Sequence, residues 1–138
     1  MRACIDEMSF EAAHYTPVNG VPQLHGHTFT VSVCVDGDLG SDYMVIDFTK
    51  LREVVEGVID KYRYSLIIPK NDLDLINIQG PFRVKLALVE YPQATAEAIS
   101  SSICDELVAV FKSVGKNFRI SVKVVEGKNN YVECVCGT

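Results

Sequence analysis

Three histidines, at positions 14, 25 and 27, are all that the chain contains. His25 and His27 stand two apart in "LHGHTFTVSVCVD". On an extended backbone such a pair projects to one side, roughly 6–7 Å apart at the backbone, a span that a single ion can bridge. His14 closes the earlier run "ACIDEMSFEAAH". If the two runs are strands paired as a hairpin, all three imidazoles meet at one end of a sheet. Neutral imidazole nitrogens suit Zn2+, and three protein ligands leave a fourth position open, the pattern of a catalytic rather than a structural zinc. The plainer alternative is three polar side chains satisfied at a sheet edge. Convergence of every histidine on one locus favours the metal.

The elements that must position them follow from periodicity. Ala3 to His14 reads as a strand with Cys4, Met8, Phe10 and Ala12 on one face, and Asp6 breaks the pattern. "TPVNGVPQ" reads as a loop from its Pro, Asn and Gly. His25 to Asp36 is a second strand with Phe29, Val31, Val33 and Val35 on the histidine face. Asp47 is placed to cap a helix over Phe48 to Tyr62, with Leu51, Val54, Val55, Val58, Ile59 and Tyr62 in one stripe. Ser65 to Pro69 is extended, "KNDLDLINIQGP" is irregular, and Phe82 to Tyr91 alternates as a strand. Thr95 caps a second helix with Ile99, Ile103, Leu107 and Val110 inward and Glu97 in its first turn, where the helix dipole favours an acid. Phe118 to Glu126 and Tyr131 to Cys136 are the last two strands. Hairpins at both ends predict an α+β fold, an antiparallel sheet with two helices on one face and an extra strand or hairpin between the helices. Glu126 ends an apolar strand face, so its carboxylate either points inward, where it needs a partner or ligand, or is exposed where the strand frays.

The 138 residues suffice for one domain, 1–138, with a sizeable core. Hydrophobic content of 48% against 22% charged is that of a soluble globular chain. A net charge of −5 speaks against nucleic acid as a partner, since phosphate backbones are met by clustered Lys and Arg. No run approaches a membrane span, and Asp6 and Glu7 rule against a signal peptide at the start. Five dispersed cysteines, an odd number, argue against a disulfide framework and for a reducing, cytoplasmic location. Cys134 and Cys136 form a C-x-C, read as two small buried thiols sharing a strand face rather than as a metal site.

The segments "SFEAAH", "LHGHTFTVSV", "MVIDFTKLREVV", "ATAEAI" and "ISVKVVEGKNNYVE" together resemble the 6-pyruvoyl-tetrahydropterin synthase and 6-carboxy-tetrahydropterin synthase family. The match covers most of the chain in the right order; its pieces are specific as a set and weak singly. The resemblance implies a tunnelling fold whose subunits join edge to edge as a trimer, two trimers stacking as a hexamer. It implies zinc on His14, His25 and His27, acting as a Lewis acid on a small-molecule pterin, usually 7,8-dihydroneopterin triphosphate. It makes Glu126 the acceptor of two parallel N–H bonds from the pterin edge. Thr95 falls beside the pterin, in a pocket between subunits.

Two parts of the family pattern are missing. Many members carry a cysteine base four residues before the first His of H-G-H, where this chain has Val21. Others carry a glutamate one residue later, where it has Pro22. The family's Asp-His pair after the first helix falls on Arg63 and Tyr64. Tyr64 is thus the candidate catalytic group, its phenol available for proton transfer if a cation lowers its pKa from about 10. The expected function is a zinc-dependent lyase of the 6-pyruvoyl or 6-carboxy-tetrahydropterin synthase type. The alternative is a zinc- and pterin-binding paralogue without turnover. The pathway served, whether a biopterin-like cofactor, a folate-like pterin or a deazaguanine tRNA nucleoside, is left open.

Overall fold

The structure, a computed structural model, describes residues 1–137. Six strands form one sheet: β1 (Arg2–Val18), β2 (Val21–Asp36), β3 (Ser65–Pro69), β4 (Leu86–Val89), β5 (Arg119–Glu126) and β6 (Asn130–Gly137). Their spatial order is β4-β3-β1-β2-β5-β6. Two helices, α1 (Phe48–Ile59) and α2 (Ala96–Ser113), cover one face. The architecture is the α+β tunnelling type, with one correction. The four strands β1, β2, β5 and β6 are antiparallel, but β3 joins β1 in parallel and β4 joins β3 in parallel, so the sheet is mixed. The alternating run expected from Phe82 pairs only over Leu86–Val89.

The hairpin that carries the histidines is longer than its composition suggested. "TPVNGVPQ" is not a loop: β1 and β2 stay paired to Val18 and Val21, leaving Asn19 and Gly20 as the turn. Both have positive φ, 52° and 79°. That is the two-residue Asn-Gly turn whose twist matches the strands it joins. Its register places His14 directly opposite His25 and Ala12 opposite His27.

At its other end β1 carries a bulge. Between the pairs Ile5–Val33 and Met8–Val31, Asp6 and Glu7 face the single residue Ser32. Glu7 takes φ 58° and donates its N–H to Ser32 Oγ at 3.4 Å. A bulge shifts the alternation by one, so Ile5, not Cys4, joins Met8, Phe10 and Ala12 in the core. Asp6, the residue that broke the expected pattern, marks the place.

Both caps fall where expected. Asp47 Oδ1 accepts from the N–H groups of Thr49 and Lys50 at 2.7 and 3.1 Å, and Thr95 Oγ1 accepts from that of Ala98 at 3.3 Å. Each such cap is worth about 0.5–2 kcal/mol. Leu51, Val55, Val58 and Ile59 of α1 and Ile99, Ile103, Leu107 and Phe111 of α2 are buried against Phe10, Phe29, Val31, Val33 and Val122. Val54 and Val110, expected inside, are only partly buried.

The cysteines also correct an expectation. Cys4 bonds to Cys34 across the first hairpin and Cys104 to Cys136 between α2 and β6, leaving Cys134 free. An odd count is compatible with two bridges and one thiol, so parity carries no argument for a reducing compartment. Among the described residues no helix is long and apolar enough to cross a membrane.

Candidate metal centre

His14, His25 and His27 converge at the end of the core face, and Glu126 joins them. Glu126 lies opposite Phe29 on β5, two residues along from His27, so all four side chains share one face. Their candidate donor atoms lie within 4.8 Å of one another. His14 is fully buried, and the ring of Phe29 stands edge-on to it at 5.5 Å between centroids.

Two main-chain carbonyls set the tautomers. His14 Nδ1 lies 2.7 Å from Ala94 O, and His25 Nδ1 lies 2.8 Å from Gln23 O. A carbonyl only accepts, so each Nδ1 carries the hydrogen and each neutral ring presents a bare Nε2 lone pair. Those two Nε2 atoms are 3.0 Å apart. Two facing lone pairs repel unless a cation lies between them. Burial, the largest influence on His14, pushes its pKa down and so disfavours a proton as that cation. His27 Nε2 is buried without a hydrogen bond, 3.2 Å from Glu126 Oε1. Three bare or orphaned nitrogens and a carboxylate are a donor set for a divalent metal, and nitrogen with oxygen suits zinc. The carbonyl-bound Nδ1–H groups are the usual outer support of such ligands.

The structure brings Thr95 and Glu126 into one cleft of about 470 Å³, lined also by Thr16, Glu97, Asn130 and Tyr131. Clefts of this size hold small ligands. The Thr95 hydroxyl uses a lone pair on the helix cap and keeps its hydrogen to donate into the cleft.

Tyr64 is not among these residues. The residue is 79% exposed, and it borders a separate shallow groove with Glu11, Ala13, Gly26, His27 and Thr28. Its backbone takes φ 54°, and its N–H donates to Glu11 O at 2.7 Å. The neighbouring Arg63 guanidinium is held by Glu56 and Asp60, which also raise its pKa. That cation is committed to carboxylates. Val21 is exposed beside the hairpin turn and Pro22 faces Pro17, so neither supplies a base. The carbonyls of Ala94 and Gln23 were invisible to sequence reasoning, because a main-chain acceptor leaves no signature in residue type.

Residues 4–136 match the sequence profile of a family described as "6-pyruvoyl tetrahydropterin synthase". A dihydroneopterin monophosphate aldolase of Pyrococcus furiosus is 47% identical over 51 residues, 37% of this chain and 44% of that protein. A 6-carboxy-5,6,7,8-tetrahydropterin synthase of Aquifex aeolicus is 39% identical over 104 residues, 72% of this chain and 64% of that one. The solved 6-pyruvoyl tetrahydropterin synthase of Plasmodium falciparum superposes with a TM-score of 0.79 at 24% identity, covering 100% of this chain and 98% of that one.

Proposed function

The chain belongs to the 6-pyruvoyl tetrahydropterin synthase family, and on that premise we propose that it is a zinc-dependent lyase acting on the side chain of 7,8-dihydroneopterin triphosphate or a close relative. The observation that carries this reading is the pair of bare Nε2 atoms of His14 and His25, 3.0 Å apart and joined by His27, clustered with the Glu126 carboxylate that also lines the cleft with Thr95. His14, His25 and His27 hold the metal. Zinc there supplies Lewis-acid polarisation of the substrate's side-chain oxygens. The Glu126 carboxylate accepts two parallel N–H bonds from the amino-pyrimidine edge, and the Thr95 hydroxyl donates to the ring. Together they point the side chain at the metal, which is the positioning part of catalysis.

A second reading is favoured by one relative: cleavage of the side-chain carbon–carbon bond, as the name of the Pyrococcus furiosus aldolase states for that protein. The deciding experiment incubates zinc-loaded protein with dihydroneopterin triphosphate and, separately, the monophosphate, and identifies products by mass spectrometry. A tetrahydropterin product supports the synthase reading. A shortened dihydropterin with a two-carbon phosphate fragment supports the aldolase. Binding of either substrate without product reduces the protein to a pterin-binding paralogue.

The assembly proposed is trimer-based, most simply a hexamer. Strands β4 and β6 are the two free edges of the sheet, and open edges are joined or shielded in stable proteins. Asn130 and Tyr131 at the start of β6 line the cleft, so closure at that edge completes the pocket. Light scattering at micromolar concentration should give three or six chain masses; a monomer there would refute the intersubunit pocket.

A neighbouring copy also gives Tyr64 its role. Its exposed phenol borders a groove with His27 but does not line the Glu126–Thr95 cleft, so we assign it to proton transfer in an adjoining subunit's site. Tyr64→Phe should lower turnover by about 10²–10⁴-fold with zinc content unchanged. Unaltered turnover removes Tyr64 from the mechanism.

A further inference from the structure

We propose that Glu126 is an exchangeable ligand: it closes the metal site as fourth donor when the cleft is empty, and leaves the metal when a pterin arrives to take its carboxylate. The inference rests on the reading of the cleft as the pterin site and adds a coupling between recognition and metal opening.

The geometry points to it in three ways. First, a tetrahedral zinc with donors at about 2.0–2.1 Å has donor–donor edges of about 3.3 Å. His14 Nε2 to His25 Nε2 is 3.0 Å, His27 Nε2 to Glu126 Oε1 is 3.2 Å, and His14 Nε2 to Glu126 Oε2 is 4.0 Å. These three edges bracket the tetrahedral value, and all four donors lie within 4.8 Å of one another, so one carboxylate oxygen reaches the fourth corner once the side chains draw in around an ion. Second, Glu126 has no hydrogen bond or ion pair among the described residues other than to His14 and His27. A partly buried carboxylate with no other partner is held by what the histidines hold. Third, the same carboxylate lines the 470 Å³ cleft. Glu126 stands at the boundary between the two halves of the site, and a change of side-chain rotamer is enough to choose between them.

The exchange has a chemical purpose. A zinc with an open position carries water, and water is the competitor for any reactive side-chain intermediate. With Glu126 as fourth ligand, that position opens only when the pterin edge offers the carboxylate two N–H donors in exchange. Ligands that lack the amino-pyrimidine edge then meet a closed metal. Specificity for the ring is thereby read at the metal, some distance from the ring itself.

The test uses the full chain loaded with Co2+, whose visible absorption reports its ligands, and two probes. One is zinc, titrated against a chromophoric chelator. The other is unsubstituted pterin, which has the recognition edge but no side-chain oxygen to bind the metal. Glu126→Gln should weaken zinc binding by about 10–100-fold and change the Co2+ band. In the unaltered protein, pterin should change the Co2+ band although it cannot ligate through a side chain; in Glu126→Gln the band should stay fixed. The unaltered-protein measurement stands even if the variant folds poorly. Pterin that binds, by quenching of its own fluorescence, without moving the Co2+ band overturns the proposal. Equal zinc affinity and equal bands in both proteins overturn it too, while leaving the lyase reading intact. A weakened variant with no pterin binding at any concentration overturns the exchange and the pterin reading together, and leaves Glu126 a fixed ligand.

Discussion

His25→Ala should hold zinc at least about 100-fold more weakly than the unaltered chain, and its turnover of any pterin substrate should fall in step. The loss of an outer support alone typically costs 10–100-fold in metal affinity, and removal of a histidine ligand that leaves no donor atom in its place, unlike Glu126→Gln, must exceed that. His25 is the better target than His14. His14 is fully buried among Phe29 and the other histidines, so its truncation leaves a cavity and confounds metal loss with misfolding. His25 is only half-buried, and His14 would still be held by Ala94. Metal analysis after dialysis against a competing chelator, with far-UV circular dichroism as the control for fold, settles the matter. A His25→Ala protein that keeps its full complement of metal would show that the histidine cluster is not the metal site.

Zinc should also act as a clamp on the fold. At about 1,000 times its dissociation constant, a ligand that binds only the folded state contributes about 4 kcal/mol. For a chain of this size that is a rise in Tm of about 8–16 °C. The candidate donors come from β1, β2 and β5, so a metal held by all four would pin a strand pair distant in sequence, Phe29 to Glu126, as well as the local hairpin. A thermal melt with and without zinc measures the shift. The same rise in His25→Ala would place the binding elsewhere, with the free Cys134 thiol the first group to suspect.

What the sequence disclosed and what it concealed divide by the range of the interaction. The caps at Asp47 and Thr95, the apolar stripe of α1 and the alternation of β2 are set by neighbours within one turn or one pleat, and each is legible in the residue types. The hairpin was half legible: Asn19-Gly20 is a strong turn signal, but Pro17 and Pro22 beside it made the strand ends look like loop. The parallel pairing of β3 to β1 depends on chain that returns from far away, and periodicity says nothing about which neighbour a strand finds. The bulge leaves a trace, Asp6 among apolar residues, but its cause lies in the pairing of β1 with β2. The site followed the same division. Three histidines on one face could be inferred from spacing, whereas the end position of Glu126 on its strand is equally compatible with an inward and an exposed carboxylate. The approach of that carboxylate to the histidines required the register between β2 and β5, which no local pattern contains.

The carbonyls of Ala94 and Gln23 bear on how this site tolerates change over generations. An imidazole oriented by an aspartate or an asparagine loses its orientation to a single base change in the gene. Here the orienting acceptors belong to the main chain, and every residue type at positions 94 and 23 would still present them. Point substitution can disturb these contacts only by moving the backbone. Drift at the exposed position 23 therefore leaves the tautomer of His25 in place, whereas at the fully buried position 94 only a side chain small enough not to move the backbone keeps that of His14; the orientation of both rings is inherited with the fold rather than with a polar side chain.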